Sequence, residues 1–275
     1  MSLQHTLAAA KSDLRLKPVA LLSIDWNTIQ TSFPLESKQV PEQSSYFCGS
    51  GLPQGVGEAP MYVFDWEAFR AIPLSRDPYE HVIVSGFVKP EALQKINADY
   101  PTIEDTGSFP IEGLQFGPNF KLMVDALESE QFRKAFEEKF QMDLSDRPTT
   151  ITVRGRCSGG DGQIHTDSVG KIITILIYLN ALWDDSGGRL RLLRTKNIDD
   201  AAAEVVPSGG NLVAFLRSDH SWHGHLPFSG ERRVLQFNWV MNKRNQTIVL
   251  LRHRLSASVK QLVRGAKPSQ AKRQD

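Results

Sequence analysis

The sequence is short of cysteine, of long apolar runs and of any excess of one charge. Cys48 and Cys157 are its two thiols and have no CxxC spacing. That is too few for a disulfide framework, so a reducing compartment is the expectation. No apolar run approaches the roughly 18 residues of a membrane span. The best stretch near the N-terminus, Pro18 to Ile24, is brief and lies between charges, so no membrane partner and a cytoplasmic location are expected. With 32 Lys+Arg against 31 Asp+Glu, 40% hydrophobic and 23% charged residues, the composition excludes disordered, collagen-like and fibrous chains. A chain of 275 residues holds one large domain or two small ones and has a core that needs no staples.

The near-neutral total conceals an asymmetry. From Lys243 onward nine Lys/Arg face one acid, Asp275, a net of +8, which leaves −7 for residues 1–242 within the total of +1. A basic tail can track phosphates, but this one has no interleaved aromatics, which argues against nucleic acid. A solvated C-terminal helix and tail over 244–275 is the simpler reading.

No repeat of 20–50 residues is visible. Residues 1–60 form a loop-rich segment in which Ser44 to Pro60, with four Gly and two Pro, reads as a lid or a linker. Residues 61–148 read as a helical support region. Leu93, Ile96 and Tyr100 have helical spacing, as do Phe132, Phe136 and Phe140 behind Ser129, which predicts an N-cap there. From Thr149 the apolar period drops to two. Eight short runs follow (TTITVRGRC, GQIHTDS, KIITILIYLN, GRLRLLR, AEVVP, NLVAFLR, SWHGHLPF, RRVLQFNWV), separated by Gly-rich turns. The expected fold is α+β but mainly β: a double-stranded β-helix, or jelly roll, over 149–243 with an N-terminal helical layer.

Within that body His165-Thr166-Asp167, taken as a strand, places an imidazole and a carboxylate on one face. A second histidine follows in Asp219 to Pro227. Two histidines and one carboxylate make the facial triad that holds a six-coordinate Fe(II) and leaves positions for O2 and an oxidisable co-substrate. Arg232 and Arg233 open the last run, and a planar guanidinium grips a carboxylate in bidentate fashion.

His165-Thr166-Asp167, Lys171, Thr174, Tyr178-Leu179-Asn180, Trp183, Gly187-Gly188, Pro207, Gly209-Gly210, Phe215, Ser221, His223, Pro227, Arg233 and Trp239 follow one another in the order of a known pattern. Residues 150–242 resemble the catalytic domain of the Fe(II)/2-oxoglutarate dioxygenases, in the prolyl-hydroxylase-like branch. The resemblance implies an enzyme that decarboxylates 2-oxoglutarate to succinate and CO2 while hydroxylating an unactivated C–H bond, with ascorbate as reductant. His165 and Asp167 match two metal ligands. Among His220, His223 and His225, the proline four residues on selects His223, with His225 as the fallback. Trp239, six residues on, selects Arg233 for 2-oxoglutarate; Arg232 fits the preceding glycine equally well, and strand parity with Leu235, Phe237 and Trp239 favours Arg233. Tyr178 matches a tyrosine that supports the same carboxylate, with Thr174 on its face.

The acceptor is expected to be an amino-acid-type side chain, in a peptide or protein or in a free small molecule. Arg154 and Arg156, two apart on one strand, are candidates for an acidic group of that substrate. The competing reading is a non-catalytic jelly-roll module that binds metal or senses. A dicarboxylate clamp, which a bare metal site does not need, favours the enzyme.

Overall fold

Asp65 starts the first described helix: its carboxylate accepts from the Ala68 amide at 2.9 Å, satisfying one of the donors that a helix leaves open at its start. The computed structural model describes residues 63–253, within one unit. The segment 1–60, with the proposed lid and Cys48, and the tail from 254 lie outside the described residues. Four helices precede the β body: α1 (Trp66–Ala71), α2 (Pro90–Ala98), α3 (Pro118–Leu127) and α4 (Glu130–Phe140). Proline opens α2 and α3, where its missing N–H removes no helix bond. Ser129 caps α4, its hydroxyl accepting from the Phe132 amide at 3.2 Å.

The strands are β1 (His81–Val84), β2 (Phe109–Pro110), β3 (Thr149–Cys157), β4 (Lys171–Tyr178), β5 (Leu190–Leu193), β6 (Ala201–Val205), β7 (Leu212–Leu216), β8 (His223–His225) and β9 (Gly230–Val240). All described pairings between them are antiparallel. They form a six-stranded sheet in the order β1-β7-β4-β9-β3-β2 and a three-stranded sheet β6-β5-β8. Residues 243–253 are helical and are labelled α5.

The six-stranded sheet has two faces with different duties. One carries Ile175, Ile177, Leu235, Phe237 and Trp239 into a core shared with the helices. There Phe132 and Phe136, one helical turn apart, stack at 4.6 Å and reach Trp239 at 5.8 and 5.4 Å. Each such ring removes enough apolar surface from water to be worth about 2–3 kcal/mol. The other face carries Tyr178, Val213, Phe215 and Val234 against Leu190, Leu192 and Val205 of the small sheet. The polar cavity described below opens on that second face.

Two expectations change. Residues 61–148 are not only helical: β1 extends the large sheet at one edge beside β7, and β2 extends it at the other beside β3. His165-Thr166-Asp167 is not part of a strand. It lies in a loop tied to β8 by one isolated bridge, in which His165 and His223 exchange both backbone hydrogen bonds at 3.0 Å.

Candidate active site

That bridge places the two imidazoles side by side. Their rings are 4.4 Å apart, and ligand atoms of His165, Asp167 and His223 all lie within 4.8 Å of one another. His165 is exposed, whereas Asp167 and His223 are buried. Each histidine turns Nδ1 to a backbone carbonyl, His165 to Gln163 at 2.8 Å and His223 to Ser221 at 2.9 Å. A carbonyl can only accept, so Nδ1 carries the proton and Nε2 keeps its lone pair. That orientation is the one a metal-ligating histidine needs. Burial, which outweighs the opposing pull of Asp167, pushes His223 down to about 4, so its ring is neutral at pH 7.

Asp167 is held from two sides. Lys171 Nζ donates to Oδ1 at 2.7 Å and Thr174 Oγ1 donates to Oδ2 at 2.6 Å. Burial alone would raise the carboxyl; Lys171 foremost, then His223 and the Thr174 hydroxyl, reverse this and hold it well below the usual carboxylate range. Lys171 faces the cavity because β4 is irregular between Lys171 and Ile173. With strict alternation it would have shared the helix-facing side of Ile173 and Ile175. Thr174, expected beside the co-substrate, instead bonds Asp167, with Asn238 Oδ1 at 3.1 Å as its second neighbour.

These groups line a cavity of about 230 Å³ that also receives Thr152, Arg154, His225, Arg232, Gln236 and His253. The two candidate arginines part company here. Arg232 is buried on the cavity side, its Nε donating to the Gly188 carbonyl at 2.9 Å and its guanidinium 5.2 Å from the centre of the Tyr178 ring. It has no carboxylate partner among the described residues. The buried Tyr178 hydroxyl has no hydrogen-bond neighbour among the described residues but the Arg232 guanidinium, and that of Thr152 on the cavity wall has none. A buried cation beside unused hydroxyls fits one end of a dicarboxylate. Arg233 points the other way: it meets Glu231 at 3.0 Å, Asn97 Oδ1 at 3.0 Å and the Tyr100 ring at 4.9 Å. Arg233, Leu235, Phe237 and Trp239 do share a face, but it is the face under the helices. Strand parity therefore makes Arg232 the cavity-facing arginine of the pair, and Trp239 packs in the core against Phe132 and Phe136.

A bulge also separates the substrate candidates. The β3–β9 register shifts between Arg154 and Arg156, at Gly155, where a Cβ would come within 2.9 Å of the Ile103 carbonyl oxygen. Arg154 lines the cavity, paired with Asp161 at 3.1 Å, whereas Arg156 is exposed on the far side. His220 is exposed. His225 lies in the cavity but outside the three-ligand cluster, its Nδ1 donating to the Leu226 carbonyl at 2.8 Å.

Lys171 and His253 are given no role in the sequence reading of the site. Lys171 was visible as a lysine four residues after the carboxylate, yet its direction depends on the irregularity in β4. His253 comes from α5 and carries no sequence signal, because its position depends on how that helix docks.

Residues 153–241 match the family model described as the 2OG-Fe(II) oxygenase superfamily. No curated protein matches the chain. Among solved structures it is similar to a prolyl-4-hydroxylase from Pseudomonas putida, with 17% identity over 70% of this chain and 100% of that one and a TM-score of 0.44. The viral collagen prolyl hydroxylase of Paramecium Bursaria Chlorella virus-1 has 17% identity over 58% of this chain and 96% of that one, with a TM-score of 0.43. A Trichoplax adhaerens prolyl hydroxylase, solved with a hypoxia inducible factor peptide fragment, has 13% identity over 69% and 91%, with a TM-score of 0.43.

Proposed function

We propose, from the match of residues 153–241 to the 2OG-Fe(II) oxygenase superfamily, that this chain is an oxygenase of that kind and hydroxylates an unactivated C–H bond of an amino-acid-type side chain. The acceptor is a peptide, a protein or a free small molecule. The two-sheet body is read as a double-stranded β-helix. The single observation that carries the reading is the convergence of His165, Asp167 and His223 beside the carboxylate-free Arg232 in one cavity. A site meant only to hold a metal has no use for that buried guanidinium.

In this reading Nε2 of His165, Nε2 of His223 and the Asp167 carboxylate hold Fe(II) and leave the remaining positions to ligands. Lys171 and Thr174 fix the plane of Asp167, so the carboxylate does not reorganise when the metal arrives. Arg232 takes the distal carboxylate of 2-oxoglutarate, and the hydroxyls of Tyr178 and Thr152 offer it the hydrogen bonds they lack among the described residues. When bound, Fe(II) with 2-oxoglutarate and O2 supplies the oxidising power for C–H hydroxylation, with succinate and CO2 as co-products. Leu176, Leu190 and Val234 keep that side of the cavity apolar.

Anaerobic addition of Fe(II) and then 2-oxoglutarate to the wild-type protein should give the visible charge-transfer band of the chelated co-substrate. Asp167→Ala should lose the band. With Fe(II), 2-oxoglutarate, ascorbate and air, the wild type should release succinate slowly without any added acceptor. Absence of the band in folded wild-type protein would overturn the reading.

A further inference from the structure

Besides Arg232, the cavity is lined by two further cations. Arg154 lines it from β3 with its side chain one-fifth exposed, Nη1 on Asp161 at 3.1 Å and Nη2 on Ser108 at 3.3 Å. Lys171 lines it from β4. His253 reaches the cavity from α5, within electrostatic range of both Lys171 and Arg154 and outside the residues that the family model matches. We propose that Arg154, Lys171 and His253 form a prime-substrate site for the carboxylate of a small acid of amino-acid size, with α5 as one wall of the active site. The proposal rests on the oxygenase reading and narrows its acceptor.

Charge balance is the first argument. Among the described residues in and against the cavity, Arg154, Lys171 and Arg232 are positive, and Asp167 and Asp161 are negative. One positive charge is left over. Divalent iron and dianionic 2-oxoglutarate cancel each other, so the loaded site remains as positive as the empty one. An unbalanced charge in a buried site is costly, and a monoanionic substrate removes the imbalance.

His253, on the cavity wall, registers that potential: burial, then Lys171 and Arg154, push it down to about 4. Its ring is therefore neutral at pH 7 and offers a carboxylate an N–H donor and no third cation. Size is the last argument. About 230 Å³ must hold the co-substrate and the reacting end of the acceptor. That lies below the range of roughly 300–1,000 Å³ usual for ligand pockets, so a small acid fits better than a folded chain segment.

The test uses the anaerobic Fe(II)–2-oxoglutarate complex, with its visible band as the reporter and the twenty free L-amino acids, their amides and capped tripeptides of the same residues as probes. At least one free acid should perturb the band. Its amide should bind at least tenfold more weakly, which separates the free carboxylate from the rest of the molecule. Arg154→Leu and His253→Leu should each weaken that acid tenfold or more, and Arg154→Lys should recover part of the loss. Amide binding as tight as acid binding, a response to capped tripeptides alone, no response to any free acid, or full affinity in both leucine variants would each overturn the proposal. The acid–amide comparison needs no variant, so it stands even if a substitution unfolds the protein. Loss of the band in the wild type would instead strike the oxygenase reading.

Discussion

Arg232 and Arg233 are adjacent and chemically identical, and a one-residue step along β9 decides which can reach the metal side of the sheet. Arg232 has a backbone carbonyl and an aromatic face for company and no carboxylate among the described residues, whereas Arg233 already has Glu231 and Asn97. Removing a guanidinium that binds a carboxylate in a desolvated site costs about 2–5 kcal/mol, which is roughly 30-fold or more in affinity. Arg232→Ala should therefore weaken 2-oxoglutarate by at least that factor in the anaerobic titration while Fe(II) affinity changes little. Arg233→Ala, acting on a partly exposed pair, should shift co-substrate affinity less than threefold. Equal losses in the two variants, or a larger loss at Arg233, would reverse the assignment.

Among the elements, those whose side chains obey one period were legible in the sequence. Phe132, Phe136 and Phe140 repeat every four residues behind the Ser129 cap, and α4 forms over Glu130–Phe140 with all three rings buried. The long β runs read directly because alternate residues along them are apolar and buried: Ile173, Ile175 and Ile177 in β4, Leu212 and Ala214 in β7, and Leu235, Phe237 and Trp239 in β9. The clustering of His165, Asp167 and His223 was legible as residue types, although the reason offered, strand parity at His165-Thr166-Asp167, is not how the fold brings them together; a loop bridged to β8 does so. What stayed hidden depends on broken periods. The irregularity before Ile173 turns Lys171 into the cavity, the bulge at Gly155 turns Arg156 out, and neither leaves a mark that propensity can see. Because α4 supports the back of β9 through Trp239, its rings should matter for the whole sheet. Phe136→Ala removes a fully buried ring and should destabilise the protein by about 3–5 kcal/mol, read as a lowered urea midpoint. A loss below about 1 kcal/mol would mean that the helical layer is dispensable to the sheet.

For the whole molecule, the cavity makes folding sensitive to acid. His223, His225 and His253 are each pushed from an ordinary value near 6.5 to about 4, with burial as the largest cause. Below pH 6.5 the unfolded chain protonates these rings and the folded chain does not, so the unfolded state binds more protons and acid favours it. The contribution is fully present above pH 6.5 and is lost progressively as the pH falls towards 4. Asp167, whose folded value lies below its unfolded one, adds a loss of the same sign only below about pH 4. Between pH 7 and pH 5 the histidines therefore dominate, at about 1.4 kcal/mol per pH unit for each proton taken up on unfolding. Urea melts of metal-free protein across that interval should show a steadily falling stability with an uptake of more than one proton. His225→Gln and His253→Gln should each flatten the slope. Stability that stays level or rises between pH 7 and pH 5 would mean that these rings are solvated and charged in the folded protein, and the cavity would then not be the positively biased site that its lining describes.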